Sequence, residues 1–158
     1  GGLAAMDDKG GLDRFDRAIL DVLSVEGRLP MTELARRVGL SKSPVQARLK
    51  RLEAEGVIRG YQALLDPIRL GRAHVAFVEV TLTDTREAAL AAFNPGVNAI
   101  AEVEECHLIA GGYDYLLKVR TTDIHAYRRV LADRISALPH VAQTSTRVAM
   151  EAVKEGRL

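Results

Sequence analysis

Apolar residues recur along the first third of the chain with a helical period. Phe15, Ile19 and Leu23 stand four apart, with Leu12 and Leu20 beside them, so one face of a helix is apolar. That helix is predicted over residues 12–26, capped by Asp13 or Asp16 and ended by Gly27. Thr32 is predicted to cap a short second helix through Val38, with Leu34, Ala35 and Val38 inward. Gly39-Leu40-Ser41 reads as a tight connection. Ser43-Pro44-Val45-Gln46 is the third start signal. Ser43 and Gln46 have capping-box spacing, and Pro44 at the first helical position gives up no hydrogen bond. This helix is predicted to reach Glu55 and stop at Gly56, and residues 57–65 read as extended, supplying a wing and a linker.

From about residue 73 the period changes to two. Ala76, Val78, Val80 and Leu82 alternate as in a strand. A helix is predicted over residues 86–98 and a strand over 103–110. Gly111-Gly112 then turns the chain into a strand over 113–121, with Tyr115, Leu117 and Val119 on one face. Asp123 is predicted to cap a helix striped by Ile124, Tyr127, Val130, Leu131, Ile135 and Leu138, with Pro139 beyond its end. The last strand holds Thr144, Thr146, Val148 and Met150. The order βαββαβ is the ferredoxin-like arrangement, so the expected class is α+β: an N-terminal winged helix-turn-helix followed by a ferredoxin-like domain. Two helices cover one sheet face. Val75, Phe77, His107 and Ile109 fall on the other, and a half-apolar open face calls for a partner, most simply a second copy.

A chain of 158 residues accommodates two such units. The expected boundaries are 1–11 for a disordered N-terminus or tag remnant and 12–60 for the helix-turn-helix. A linker over 61–71, the ferredoxin-like domain over 72–152 and a tail over 153–158 complete the chain. Residues 1–11 lack the pattern of a signal peptide, and no run of eighteen apolar residues exists, so no membrane span is expected. Cys106 is the only cysteine, which excludes an internal disulfide and a cysteine-cluster zinc site and fits the cytoplasm. His74, His107, His125 and His140 are scattered, and neither a phosphate-binding loop nor a nucleophile motif is present. Neither an enzyme nor a cofactor is therefore expected.

Charge sharpens the picture. The whole chain carries +1, but residues 28–59 hold eight Lys/Arg against three Glu, a local +5. A basic segment on an otherwise acidic chain suits a polyanion. On a helical wheel Val45, Leu49 and Leu52 share one stripe, while Ser43, Ala47, Lys50, Arg51 and Ala54 point away. The exposed stripe is small and basic, so it can enter a major groove. Lys42, Ser43, Gln46, Ala47, Lys50 and Arg51 are the candidate contacts to double-stranded DNA, with Gln46 placed to reach base edges. The competing reading is a solvated basic face. A second rival is a ligand-binding assembly protein that never touches DNA.

Three groups of residues, in this order, carry a resemblance to the Lrp/AsnC family of amino-acid-responsive regulators. The first is Leu12-Asp13-Arg14-Phe15-Asp16, Glu33 through Ser41, and Arg51-Leu52-Glu53-Ala54-Glu55-Gly56-Val57-Ile58. The second is Glu105-Cys106-His107-Leu108 with Gly111-Gly112-Tyr113-Asp114-Tyr115-Leu116-Leu117. The third is Thr144-Ser145-Thr146 with Val148-Ala149-Met150-Glu151. The resemblance implies homodimers through the second domain that assemble into octamers. It also implies an amino-acid effector between second domains near the glycine turn. It points to Gly111, Gly112, Tyr113 and Asp114, with Thr144 and Thr146 on the last strand. Asp114 would meet the ligand's ammonium and the glycine N–H groups its carboxylate. Arg147 departs from the bulky residue usual in the leucine-responsive branch, and the C-terminal pattern resembles a branch that regulates proline catabolism. Each site residue also has a purely structural reading: hairpin geometry for the glycines, a turn cap for Asp114 and β-propensity for the threonines.

Overall fold

The computed structural model describes residues 11–156, so the expectations for residues 1–10 and for the end of the tail lie outside the described residues. Two compact units divide the chain, one up to Leu64 and one over Leu65–Gly156.

The first unit holds α1 (Arg14–Val25), α2 (Met31–Val38) and α3 (Lys42–Ala54). Asp13 and Asp16 cap α1 together. The Asp16 N–H donates to the Asp13 carboxylate at 2.9 Å, and the Asp13 N–H donates back to Asp16 at 3.2 Å. Thr32 does not cap α2. The helix begins two residues earlier behind Pro30, whose carbonyl accepts from the Leu34 N–H at 3.0 Å. The Ser43–Gln46 box is also absent, because Ser41 is the N-cap of α3 and Ser43 already lies inside its first turn. Pro44 is still harmless there, since the first four N–H groups of a helix have no internal partner. Gly39 and Gly56 end α2 and α3 at φ 77° and 75°, the left-handed region where a side chain is strained. Ile19, Leu34, Ala35, Val45 and Leu52 form the buried core, and Leu49 packs against it only half-buried. Residues 57–64 form no strand, so the expected wing is a loop, tied back by Ile58 N–H to the Leu52 carbonyl at 3.1 Å.

The second unit holds β1 (His74–Leu82), α4 (Glu87–Asn98), β2 (Val103–Leu108), β3 (Tyr115–Thr121), α5 (Ile124–Val130) with a π turn over Leu131–Ile135, and β4 (Val141–Val148). The sheet order is β2-β3-β1-β4, and each neighbouring pair is antiparallel. Ala76, Val78, Val80, Leu117 and Val119 face the helices and pack with Phe93, Val97, Tyr127 and Ile135. The α5 stripe holds for Tyr127, Val130 and Ile135, but Ile124 is exposed at the helix start. The Ser136 N–H reaches the Leu131 carbonyl five residues back at 2.8 Å. Leu131 and Ile135 both pack against the core at this wider turn. β4 ends before Met150, which is fully exposed.

The open face of the sheet keeps part of its expected apolar set, since Phe77 is exposed on it between Lys118 and Arg147. Val75 is buried, Ile109 lies beyond the end of β2, and His107 pairs with Glu105 at 3.1 Å. Around Phe77 the face carries a lattice of opposite charges. Buried Arg120 donates to Glu104 and to Glu155, each at 2.9 Å. Lys118 pairs with Glu155, and Arg147 stands 3.6 Å from Glu79. The alternation supplied the strand faces, but it could not show that β3 and the C-terminal tail exchange charges across this face.

Candidate nucleic-acid interface and effector site

Helix α3 presents Lys42, Ser43, Gln46, Ala47 and Lys50 to solvent while Val45 and Leu52 are fully buried. Arg51 behaves differently. Its Nη2 donates to Asp16 at 2.6 Å, and Arg48 donates to the same carboxylate at 3.1 Å and to Asp13 at 2.5 Å. Asp16 is 1% exposed. Burial works to raise its pKa, but the Arg51 hydrogen bond, the Asp13 N–H and Arg48 outweigh it and hold the carboxyl below its usual range. Arg48 does the same for Asp13, helped by the Asp16 N–H. The two arginines therefore clamp α3 onto the start of α1. Arg51, expected on a phosphate, is committed to this clamp. Arg36 and Arg37 are held by Glu33, and Arg37 also by Glu26. The +5 segment is thus partly neutralised by acids, three of which lie outside it. Among the described residues Arg28, Lys42, Lys50 and Arg59 keep no ion pair and remain for an external anion.

This division separates two kinds of cation by experiment. Lys50→Ala is expected to leave folding intact and to flatten the log–log salt dependence of duplex binding by roughly 0.9 for the lost phosphate contact. Arg51→Ala is expected to leave that slope unchanged and to lower stability instead. Fluorescence anisotropy over a salt series, paired with urea unfolding, reads both.

In the second unit the turn residues and Thr144 gather at one end of the sheet. Tyr115 and Thr144 both register with Val80 from opposite sides, which puts them about 10 Å apart, two strand spacings. Thr146 lies one row further in, opposite Val78, and its hydroxyl meets the Tyr127 hydroxyl. Asp114 stitches the turn to β1. Its carboxylate accepts from the Leu82 N–H at 2.7 Å, its N–H donates to the Val80 carbonyl at 2.9 Å, and its carbonyl accepts from the Ile109 N–H at 2.8 Å. The Asp114 side chain therefore ties the turn to β1 rather than capping the turn itself, and one bond leaves acceptor capacity on the carboxylate.

The two glycines point the other way. Neither Gly111 nor Gly112 has positive φ. A Cβ on Gly112 would meet nothing within 4 Å, and one on Gly111 would touch only Ile109 at 3.5 Å. The hairpin does not require glycine at either position, whereas a ligand approaching the bare backbone would. Cys106 is half-buried against the core, and burial pushes its thiol up to about 11, which leaves little thiolate for chemistry. Among the described residues no His, Cys, Asp and Glu cluster forms a metal site, and no helix is long and apolar enough to cross a membrane.

The pattern along the chain showed the exposed face of α3 but not the Asp13–Asp16 clamp. The available signal was two acids three residues apart at the start of α1, matched by Arg48 and Arg51 three apart on α3.

Comparison with known proteins agrees with both halves. Residues 12–59 match a winged helix-turn-helix DNA-binding domain, and residues 75–158 match the Lrp/AsnC ligand binding domain. The chain is 59% identical to the proline dehydrogenase transcriptional activator of Rhodobacter capsulatus, over 91% of this chain and 94% of the relative. It is 46% identical to the leucine-responsive regulatory protein of Escherichia coli strain K12, over 91% of this chain and 88% of the relative. A transcriptional regulator from Neisseria meningitidis solved with L-Met superposes with a TM-score of 0.85 at 35% identity, covering 91% of this chain and 93% of that one. A DNA-binding helix-turn-helix followed by this ligand-binding domain makes the chain a transcription regulator, not an enzyme, and it belongs to the Lrp/AsnC family.

Proposed function

We propose that this regulator controls amino-acid catabolism in the cytoplasm, with proline as its leading effector, and that it acts on DNA as a homodimer able to build octamers. The observation that carries the effector reading is the bare glycine turn beside Asp114, whose glycines the hairpin does not require. The 59% identity to a proline dehydrogenase transcriptional activator supports proline first, and the relatives named for leucine or solved with L-Met define the class. An amino acid brings one ammonium and one carboxylate. Asp114 offers an acceptor for the first, and the N–H groups of Gly111 and Gly112 offer donors for the second. Tyr113 and Thr144 flank that end of the sheet, while the Thr146 hydroxyl is already engaged by Tyr127. On the DNA side Lys42, Ser43 and Lys50 position the protein on phosphates, and Gln46 and Ala47 read bases. The mixed-sign lattice on the open sheet face can complement itself across a two-fold axis, which supports the dimer.

Calorimetry with proline, leucine and methionine tests the site. Asp114→Asn keeps a carbonyl oxygen for the Leu82 N–H but removes the charge. It is expected to fold normally and to lose at least tenfold in ligand affinity, about 1.4 kcal/mol. Gly112→Val is expected to leave stability nearly unchanged and to block binding. Normal ligand affinity in both variants would place the effector elsewhere. Effector binding should change DNA affinity by about 5–150-fold, with DNA changing effector affinity by the same factor.

A further inference from the structure

The second unit pairs its arginines thoroughly, with one exception. Arg69, Arg72, Arg86, Arg120 and Arg147 each have an acceptor. Arg128, Arg129 and Arg134 have none among the described residues, although they fall within seven residues of one helical segment. Arg128 and Arg129 line an open cleft of about 510 Å³ together with His125, Leu131, Ala132 and Asp133. Asp133 is the one carboxylate in that lining. Asp123, at the start of α5, accepts from the Ala126 N–H at 2.7 Å, and that bond and the charges of His125 and Arg129 lower its pKa, but it is not part of the lining. Within the lining two arginines face one carboxylate, so the lining itself stays positive.

Solvated arginines are ordinary on a protein surface. Arginines gathered on one cleft, in a unit that pairs every other described arginine, have been left for an anion from outside. We propose that this face of α5 and the π turn is a second phosphate-contact surface for duplex DNA, separate from the helix-turn-helix. His125, Arg128, Arg129 and Ala132 follow an i, i+3, i+4, i+7 stripe, which spans about 10 Å at 1.5 Å per residue. Two or three successive phosphates of one strand fit that length, at about 3.4 Å of duplex axis per charge. Ala132 leaves room at the end of the stripe for a backbone to approach. The cleft is open, which suits a polymer lying along it better than a metabolite enclosed by it. DNA is the polyanion because the same chain already holds duplex through its other unit, and tethering raises the local concentration of phosphate at this face. The inference rests on the DNA-binding reading above.

The test uses the full chain and a duplex of unrelated sequence, with affinity measured by anisotropy across a salt series. Arg128→Gln/Arg129→Gln is compared with wild type and with Arg69→Gln/Arg86→Gln, a control of equal charge loss at arginines that are already paired. The α5 variant is expected to flatten the log–log salt slope by roughly 0.9 per lost phosphate contact, up to about 1.8 for both, while the control keeps the wild-type slope. Circular dichroism and sedimentation of all three proteins should coincide. Equal slopes in the α5 variant and the control overturn the proposal. So does an α5 variant whose sedimentation changes, because the face is then a contact between protein subunits. If wild type binds no duplex at all, the DNA-binding reading fails with it. Strong wild-type binding with an unaffected α5 variant removes only the second surface.

Discussion

Asp16→Ala is expected to destabilise the helix-turn-helix unit by about 2–4 kcal/mol and to weaken DNA binding through folding alone. Breaking a buried, hydrogen-bonded ion pair costs about 3–5 kcal/mol when the partner is left stranded. Here Arg48 and Arg51 are 27% and 39% exposed, so water recovers part of that loss. The variant also forfeits half of the α1 capping box, because the Asp13 N–H loses its acceptor. Urea unfolding followed by circular dichroism measures the effect, and a change below about 0.5 kcal/mol would mean that the clamp contributes nothing. The pH dependence has a definite sign. Both carboxyls sit below the ordinary aspartate value of 3.8 in the folded protein. Their stabilisation is therefore complete above that value and is lost as pH falls through the lowered folded values. Wild type should lose stability below about pH 4, and Asp16→Ala should lose less over the same interval.

The clamp also marks the limit of what the chain disclosed before folding. Periodicity located α1, α2 and α3 and separated Val45 and Leu52 from Lys50 and Gln46, because burial and helical spacing are properties of neighbouring residues. It assigned Arg51 to a phosphate because a wheel shows only which way a side chain leaves its own helix. Asp16 lies 35 residues away, and a long guanidinium can turn back from an exposed stripe to reach it. The same reasoning accounts for the sheet. Alternation identified the helix-facing rows of β1 and β3, yet the bond between the Asp114 carboxylate and the end of β1 joins residues 32 apart. The caps of α2 and α3 each slipped by two residues because Pro30 and Ser41 compete locally with Thr32 and Ser43, and backbone carbonyls settle that competition. The glycine turn stood out in the sequence, but only the folded backbone shows that the turn itself has no need of glycine.

Packing behind that turn carries the second large effect. Phe93→Ala is expected to destabilise the ligand-binding unit by about 3–5 kcal/mol, the usual cost of emptying an aromatic site in a packed core. Phe93 is fully buried and lies against Tyr115 with ring centroids 4.3 Å apart. The Tyr115 hydroxyl donates to the Asn94 side-chain oxygen at 2.6 Å, so α4 holds Tyr115 by both its ring and its hydroxyl. Tyr115 follows Asp114 directly, and the two anchor the turn from opposite directions: Tyr115 to α4, Asp114 to the backbone of Val80 and Leu82. Loss of the Phe93 ring should therefore loosen Gly111–Asp114 as well as the core. Phe93→Leu fills most of the space without the ring contact and is expected to cost less, about 1–2 kcal/mol. Calorimetry should then show weakened amino-acid binding in Phe93→Leu under conditions where it remains folded. DNA affinity without effector should stay at the wild-type level, because Phe93 belongs neither to the helix-turn-helix unit nor to the exposed face of α5. If Phe93→Leu binds the amino acid as wild type does, the turn is held without α4, and the route from core packing to effector affinity is not the one described.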